Sequence, residues 1–187
     1  MKISNTIKIT KLLALLFIST LTFTACSDDH DDDHDHEEEL ITTVNYTLTD
    51  GSNEIILTFS DPDGEGGNDG TYTVSSALTA STTYTGEIEL LNESESPAED
   101  ITDEIREEDD EHEFFYSSSV SGIAINKTDT DEDGNPVGIE TTLTTGTAGS
   151  GTITIILKHE PTKPNNNIAA DAGGSTDVEV TFNIEVQ

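Results

Sequence analysis

Apolar and polar residues alternate through most of the chain after residue 40. Val44, Tyr46 and Leu48 alternate with polar neighbours, Asp50-Gly51 is a turn signal, and a second alternating run follows it. Two such runs joined by a short turn predict a β-hairpin. The clearest run is the last, in which every second residue is apolar: Val178, Val180, Phe182, Ile184 and Val186.

Shorter runs of the same kind lie between these ends. They contain Tyr72 and Val74; Tyr84, Ile88 and Leu90; Phe114 and Tyr116; Ile123 and Ile125; Ile139 and Leu143; and, after a glycine-rich turn at 146–151, Ile153, Ile155 and Leu157. About eight or nine short strands separated by turn signals predict a mostly β protein, an antiparallel β-sandwich. The absence of strand–helix–strand alternation disfavours a parallel doubly wound fold.

One segment has a helical pattern instead. Ser96 is a good N-cap, Pro97 suits the first helical position, and Ile101 and Ile105 share one face. The pattern predicts one short helix of about 14 residues, from Pro97 to near Asp110. Its acidic residues are expected to form a solvated face.

The N-terminal sequence has the pattern of a secretory signal peptide. Three lysines precede a short apolar stretch, and Thr24-Ala25-Cys26 follows it. This order predicts a lipoprotein signal peptide over residues 1–25, with Cys26 lipidated as the first mature residue. The alternatives are an ordinary cleaved leader that leaves Cys26 as a stray thiol, or a retained N-terminal anchor. Cys26 is the only cysteine of the chain, which favours lipidation.

Residues 27–39 read S-D-D-H-D-D-D-H-D-H-E-E-E. So acidic a run cannot be buried, and residues 26–39 are predicted to form a disordered tether before a single folded domain at 40–187. A spacer is the simpler interpretation. His30, His34 and His36 also make the tether a candidate chelator of Zn²⁺ or another transition metal, because imidazole is a ligand for these ions.

Charge narrows the possible partners. The chain has 39 acidic and seven basic residues, a formal net charge of −32. Cleavage at Cys26 would leave four basic residues against all 39 acids, a charge of −35. Nucleic acid is therefore excluded as a partner, and the anionic lipid surface is disfavoured. Divalent cations and basic protein surfaces remain.

Residues 129–140 contain the stronger of two candidate calcium loops. They fit D-x-D-x-D-G-x5-E, with Asp129, Asp131, Asp133, Asn135 and Glu140 as the ligand set. Alternating carboxylates suit Ca²⁺, which takes six to eight oxygen ligands. Strand patterns flank this loop where helices would flank an EF-hand, and Pro136 lacks a backbone N–H. A plain acidic hairpin turn is the alternative.

Residues 61–69 form the weaker calcium candidate, with Asp61, Asp63, Glu65 and Asp69 among several glycines. The alternative is a flexible glycine-rich connection. His112 and His159 also stand near strand ends beside acidic residues. Either would join a metal or ligand site, but edge or capping histidines are the commoner case. No motif pairs a nucleophile with a base, so the chain is predicted not to be an enzyme.

The chain resembles a family of small surface lipoproteins of the Bacteroidota whose activity is not established. The resemblance rests on the Cys26 region, the acidic run after it, and segments such as ITTVNYTLTDG, TTYTGEIELLNES, EHEFFY and GGSTDVEVTFNIEV. Similar proteins are sometimes labelled type 1 periplasmic-binding fold, which the strand order does not favour. The resemblance implies a lipid-anchored protein of the outer membrane, exposed at the cell surface, and no site residues.

These patterns together predict a non-enzymatic surface lipoprotein that binds a cation or ligand, as a possible accessory of an outer-membrane transporter. The alternative is a structural or adhesive envelope protein whose acidic loops are stabilised by Ca²⁺.

Overall fold

A computed structural model describes residues 39–64, 67 and 69–187. The described residues form ten strands: β1 Thr43–Thr49, β2 Glu54–Ser60, β3 Thr71–Val74, β4 Thr83–Asn92, β5 Glu99–Asp100, β6 His112–Ser118, β7 Ala124–Lys127, β8 Glu140–Thr144, β9 Gly149–His159 and β10 Ser175–Val186. Two helices accompany them, α1 Ile101–Glu107 and α2 Ala169–Ala172. No described helix is both long and apolar enough to cross a membrane.

The strands form two antiparallel sheets, which confirms the predicted mostly β, sandwich-like class. The larger sheet has the order β3-β2-β1-β4-β8-β7, with β5 paired to β4. The smaller has the order β10-β9-β6. The predicted first hairpin is confirmed, with Thr49 opposite Glu54 across the turn.

The core lies between the inner faces of the two sheets. Alternate residues of a strand point to one face, so the apolar set of each run is buried together. Tyr46 of the larger sheet lies 5.7 Å, centroid to centroid, from Tyr116 of the smaller one. The inner residues of β10 from Val180 to Val186 are all buried. Leu78, in the connection between β3 and β4, makes a parallel bridge to Val186 of β10.

The predicted helix start is wrong. Glu99 and Asp100 pair with β4 as a short strand, and Asp100 is the N-cap, accepting a hydrogen bond from the Thr102 backbone N–H at 3.0 Å. Helix α1 is therefore seven residues long and begins at Ile101. Ile101 and Ile105, predicted to share one face of the helix, are both buried. The short α2 was not expected from the sequence.

The sequence predicts a turn over the glycine-rich segment 146–151, but the turn is shorter because β9 already begins at Gly149. Gly151 pairs with Ile184, and a Cβ placed on it would lie 2.5 Å from the Ser119 Oγ. Glycine is therefore required here by a close approach and not by a turn.

Candidate metal centre

Sheet register brings two histidines together at one end of the smaller sheet. His112 is the first residue of β6 and His159 the last of β9, and they are direct cross-strand partners. Their rings stack with centroids 4.7 Å apart and planes 20° apart. Each lies two residues from a buried apolar residue of its strand, Phe114 or Leu157, so both rings fall on the core face. His112 is 0% exposed and His159 6%.

Glu39 completes the group from the chain just before β1. Its carboxylate Oε1 lies 3.4 Å from His112 Nε2, and its side chain is only 6% exposed. One ligand atom from each of Glu39, His112 and His159 lies within 4.8 Å of the other two. Three chain segments far apart in sequence thus place one carboxylate oxygen and two imidazole nitrogens around one point.

The tautomer of His112 follows from its other ring nitrogen. Nδ1 lies 3.1 Å from the carbonyl oxygen of Glu108, the C-cap of α1. A carbonyl only accepts, so Nδ1 carries the hydrogen and the neutral ring keeps its lone pair on Nε2. A histidine backed by a carbonyl in this way is the usual arrangement of a metal-ligating imidazole.

In the neutral ring, His112 Nε2 directs a lone pair toward the Glu39 carboxylate. This nitrogen is buried and makes no hydrogen bond to any of the described residues. Two acceptors facing each other in a buried place are costly unless a cation lies between them, either a proton or a metal ion.

Electrostatics favour positive charge at this point. Burial alone lowers the pKa of His112, because a buried imidazolium loses its hydration. Glu39, the Glu108 carbonyl and the charge of Asp177 outweigh burial, so the pKa of His112 is raised above its ordinary value. The interaction with His112 in turn lowers the pKa of Glu39.

A second group of carboxylates adjoins the first. Glu111 Oε2 lies 3.5 Å from His159 Nε2, and ligand atoms of Glu111, His159 and Glu160 lie within 4.8 Å of one another. The Glu160 N–H donates to the Glu111 carbonyl at 2.6 Å, which extends the β6–β9 ladder by one step. His159 belongs to both groups.

The ligand chemistry selects a class of ion. Two imidazole nitrogens with one carboxylate oxygen suit Zn²⁺, Cu²⁺ or Ni²⁺. Ca²⁺ and Mg²⁺ prefer all-oxygen sets. The donor set therefore points to a transition metal.

The predicted calcium loop at 129–140 is arranged differently. The two oxygens of Asp129 accept from the backbone N–H groups of Gly138 and Ile139, both at 2.8 Å. The buried Asp131 accepts from the Asn135 N–H at 2.7 Å and from Lys163 Nζ at 3.3 Å. Asp133 and Glu140 are exposed.

Lys163 therefore supplies the cation of this loop. Its ammonium also donates to the carbonyl of Asp109 at 2.5 Å, and its side chain is 6% exposed. Burial alone raises the pKa of Asp131, but Asn135 and Lys163 outweigh it and the pKa is lowered. Among the described residues, no three acidic side chains of this loop offer oxygens within 4.8 Å of one another. A Ca²⁺ ion would have to displace a lysine that is already hydrogen-bonded.

The other predicted sites are less defined. Burial, with repulsion from Asp63 and Asp69, raises the pKa of Asp61, but the described part of loop 61–69 is not among the convergent ligand groups. Glu65 lies outside the described residues, as do Cys26, His30, His34 and His36. Calcium at 129–140 and at 61–69, lipidation at Cys26 and chelation by the tether all remain predictions.

Sequence reasoning considered His112 and His159 singly and did not combine them. It placed Glu39 in the tether, whereas its side chain is buried against His112. A usable signal was strand phase: His112 continues the phase of Phe114 and Tyr116, and His159 that of Ile153, Ile155 and Leu157. A histidine in the inward phase of a strand requires a buried partner.

Comparison with protein families, with curated proteins and with solved structures finds no match to this chain.

Proposed function

We propose that this protein binds a transition-metal ion, with Zn²⁺ the preferred test ion, through Glu39, His112 and His159. The observation that carries the proposal is the convergence of one ligand atom each from Glu39, His112 and His159 within 4.8 Å. The Glu108 carbonyl holds His112 Nδ1 at 3.1 Å, and Nε2 lies 3.4 Å from the Glu39 carboxylate. A metal ion satisfies both acceptors at once, and His159 supplies the third ligand.

The burial of the ligands favours holding an ion over catalysis on a substrate. A catalytic zinc site keeps one coordination position open to substrate. Here His112 is fully buried and the side chain of Glu39 is 6% exposed. The ligands also come from the segment before β1, from β6 and from β9, so one ion would cross-link three parts of the fold. Storage, delivery or stabilisation fits this arrangement.

The proposed location is the cell surface, with the chain anchored through Cys26 to the outer membrane. The order of leader, cysteine and acidic run supports it. A metal-holding lipoprotein there would suit a role beside an outer-membrane transporter. Cys26→Ala is expected to abolish incorporation of a labelled fatty acid, and incorporation retained by that variant would refute lipidation at Cys26.

The binding test needs the tether histidines removed as competitors. We would purify the full chain in detergent with His30, His34 and His36 changed to Ala, and measure Zn²⁺ affinity by competition with a chromophoric chelator. His112→Gln and Glu39→Gln should each weaken binding at least tenfold, because each removes one of three protein ligands. The matched control is Glu54→Gln, an exposed acid on β2.

Circular dichroism would establish that each variant is folded. Zinc affinity that is equal in the parent, in His112→Gln and in Glu39→Gln would refute the proposed site.

A further inference from the structure

The carboxylates of Glu111 and Glu160 form a second ligand group on the solvent side of the metal centre. This group shares one member, His159, with the inner group of Glu39, His112 and His159. Exposure falls along the series: Glu160 is exposed, the Glu111 side chain is 39% exposed and that of His159 is 8%. The side chains of Glu39 and His112 are 6% and 0% exposed.

The outer group is held by the same ladder that pairs the histidines. His112 and His159 are opposite each other, and the next residues outward, Glu111 and Glu160, are joined by a backbone hydrogen bond of 2.6 Å. Glu160 has a φ of 52°, which is uncommon for a residue other than glycine and turns the chain at the end of β9. Both carboxylates therefore start from backbone fixed relative to His159.

We propose that Glu111, His159 and Glu160 form a loading position that captures a hydrated transition-metal ion and passes it, through the shared His159, to the inner site. This inference rests on the proposed function. It adds a route by which an ion reaches ligands that solvent does not reach.

Ligand exchange explains why such a position is needed. A divalent ion arrives with its hydration shell and must lose water before it enters a buried site. Exposed carboxylates replace the first waters at little cost, because they are themselves solvated. His159 would hold the ion while Glu39 and His112 take the places of Glu111 and Glu160.

Kinetics distinguish a loading position from a final ligand set. Residues that act only on the path lower the barrier in both directions, so removing them slows binding and release by one factor and leaves the dissociation constant unchanged. Residues that ligate the ion in its final place change the dissociation constant, mostly through faster release.

The test is stopped-flow zinc binding and chelator-driven release, on the full chain in detergent with the three tether histidines replaced. The double variant Glu111→Gln/Glu160→Gln should bind and release Zn²⁺ at least tenfold more slowly, with the dissociation constant within threefold of the parent. The matched control is Glu107→Gln/Asp110→Asn, which removes two charges from nearby exposed residues outside both ligand groups. It should leave the rates within threefold of the parent.

Each other outcome overturns the inference. Unchanged rates in Glu111→Gln/Glu160→Gln would show that these carboxylates take no part in zinc binding. Equal slowing in the control variant would show that the effect is general attraction of the cation by negative charge. A weaker dissociation constant with an unchanged binding rate would place Glu111 and Glu160 in the final site. In all three cases the affinities of His112→Gln and Glu39→Gln still test the proposed function separately, because that function fails if both variants keep the parent affinity.

Discussion

Zinc should stabilise the folded chain by an amount that depends on its concentration. The ligands Glu39, His112 and His159 come from the segment before β1, from β6 and from β9, so only the folded state presents them together. An ion that binds only the folded state at 100 times its dissociation constant adds about 2.7 kcal/mol to the free energy of unfolding. For a chain of this size the midpoint of thermal unfolding should rise by roughly 5–10 °C.

The assay is a thermal melt followed by circular dichroism, with the tether histidines replaced so that zinc does not bind the unfolded tether. Melts in EDTA, in Zn²⁺ and in Ca²⁺ are compared at one pH and one ionic strength. His112→Gln should remove the zinc-dependent rise. Glu54→Gln, on the exposed face of β2, should keep it.

Two results would refute this reasoning. A zinc-dependent rise that persists in His112→Gln would show that the ion binds elsewhere. A rise with Ca²⁺ that is lost in Asp131→Ala would show that the 129–140 loop binds Ca²⁺ despite the contact of Asp131 with Lys163.

Further predictions concern the loop and the core. Lys163→Met should lower the free energy of unfolding by about 3–5 kcal/mol, measured by urea titration, because it leaves the buried Asp131 carboxylate without its cation; a loss under 1 kcal/mol would contradict the pairing. Because the pKa of Asp131 is lowered on folding, its contribution is present above the unfolded pKa near 3.9 and is lost as the pH falls through the folded pKa. Asp131→Asn should therefore lose less stability than the parent between pH 5 and about pH 3, and equal losses would refute the assignment. Tyr46→Phe should cost about 1 kcal/mol, since it leaves the buried Thr141 hydroxyl without its partner at 2.7 Å, and a neutral result in the same titration would show that the hydroxyl finds another partner.

The strands were predictable where one face is buried. The apolar residues of β1, β2 and β10 alternate because each strand has one inner face. An apolar residue at every second position of the sequence therefore predicts such a strand. The start of helix α1 was not predictable from the sequence. Ser96-Pro97 has the local signature of a helix N-terminus, but Glu99 and Asp100 pair with β4 instead. A tertiary contact prevailed there over local preference.

Predicting the candidate metal centre required information that local sequence patterns lack. Strand phase places His112 and His159 inward, but only the β6–β9 register shows that they face each other. Nothing in an acidic run distinguishes Glu39 from its neighbours until the fold buries it. Likewise, the spacing of acids at 129–140 matches a calcium loop, and only the long-range approach of Lys163 shows that a cation is already present.

The central claim is tested most directly by locating the metal. Crystals of the full chain with the tether histidines replaced, grown with Zn²⁺, would be measured on both sides of the zinc absorption edge. The proposal predicts an anomalous peak about 2.0–2.1 Å from Nε2 of His112 and from a ring nitrogen of His159, in contact with a Glu39 oxygen. A fully loaded crystal with no peak there, or with its only peak in the 129–140 loop, would contradict it.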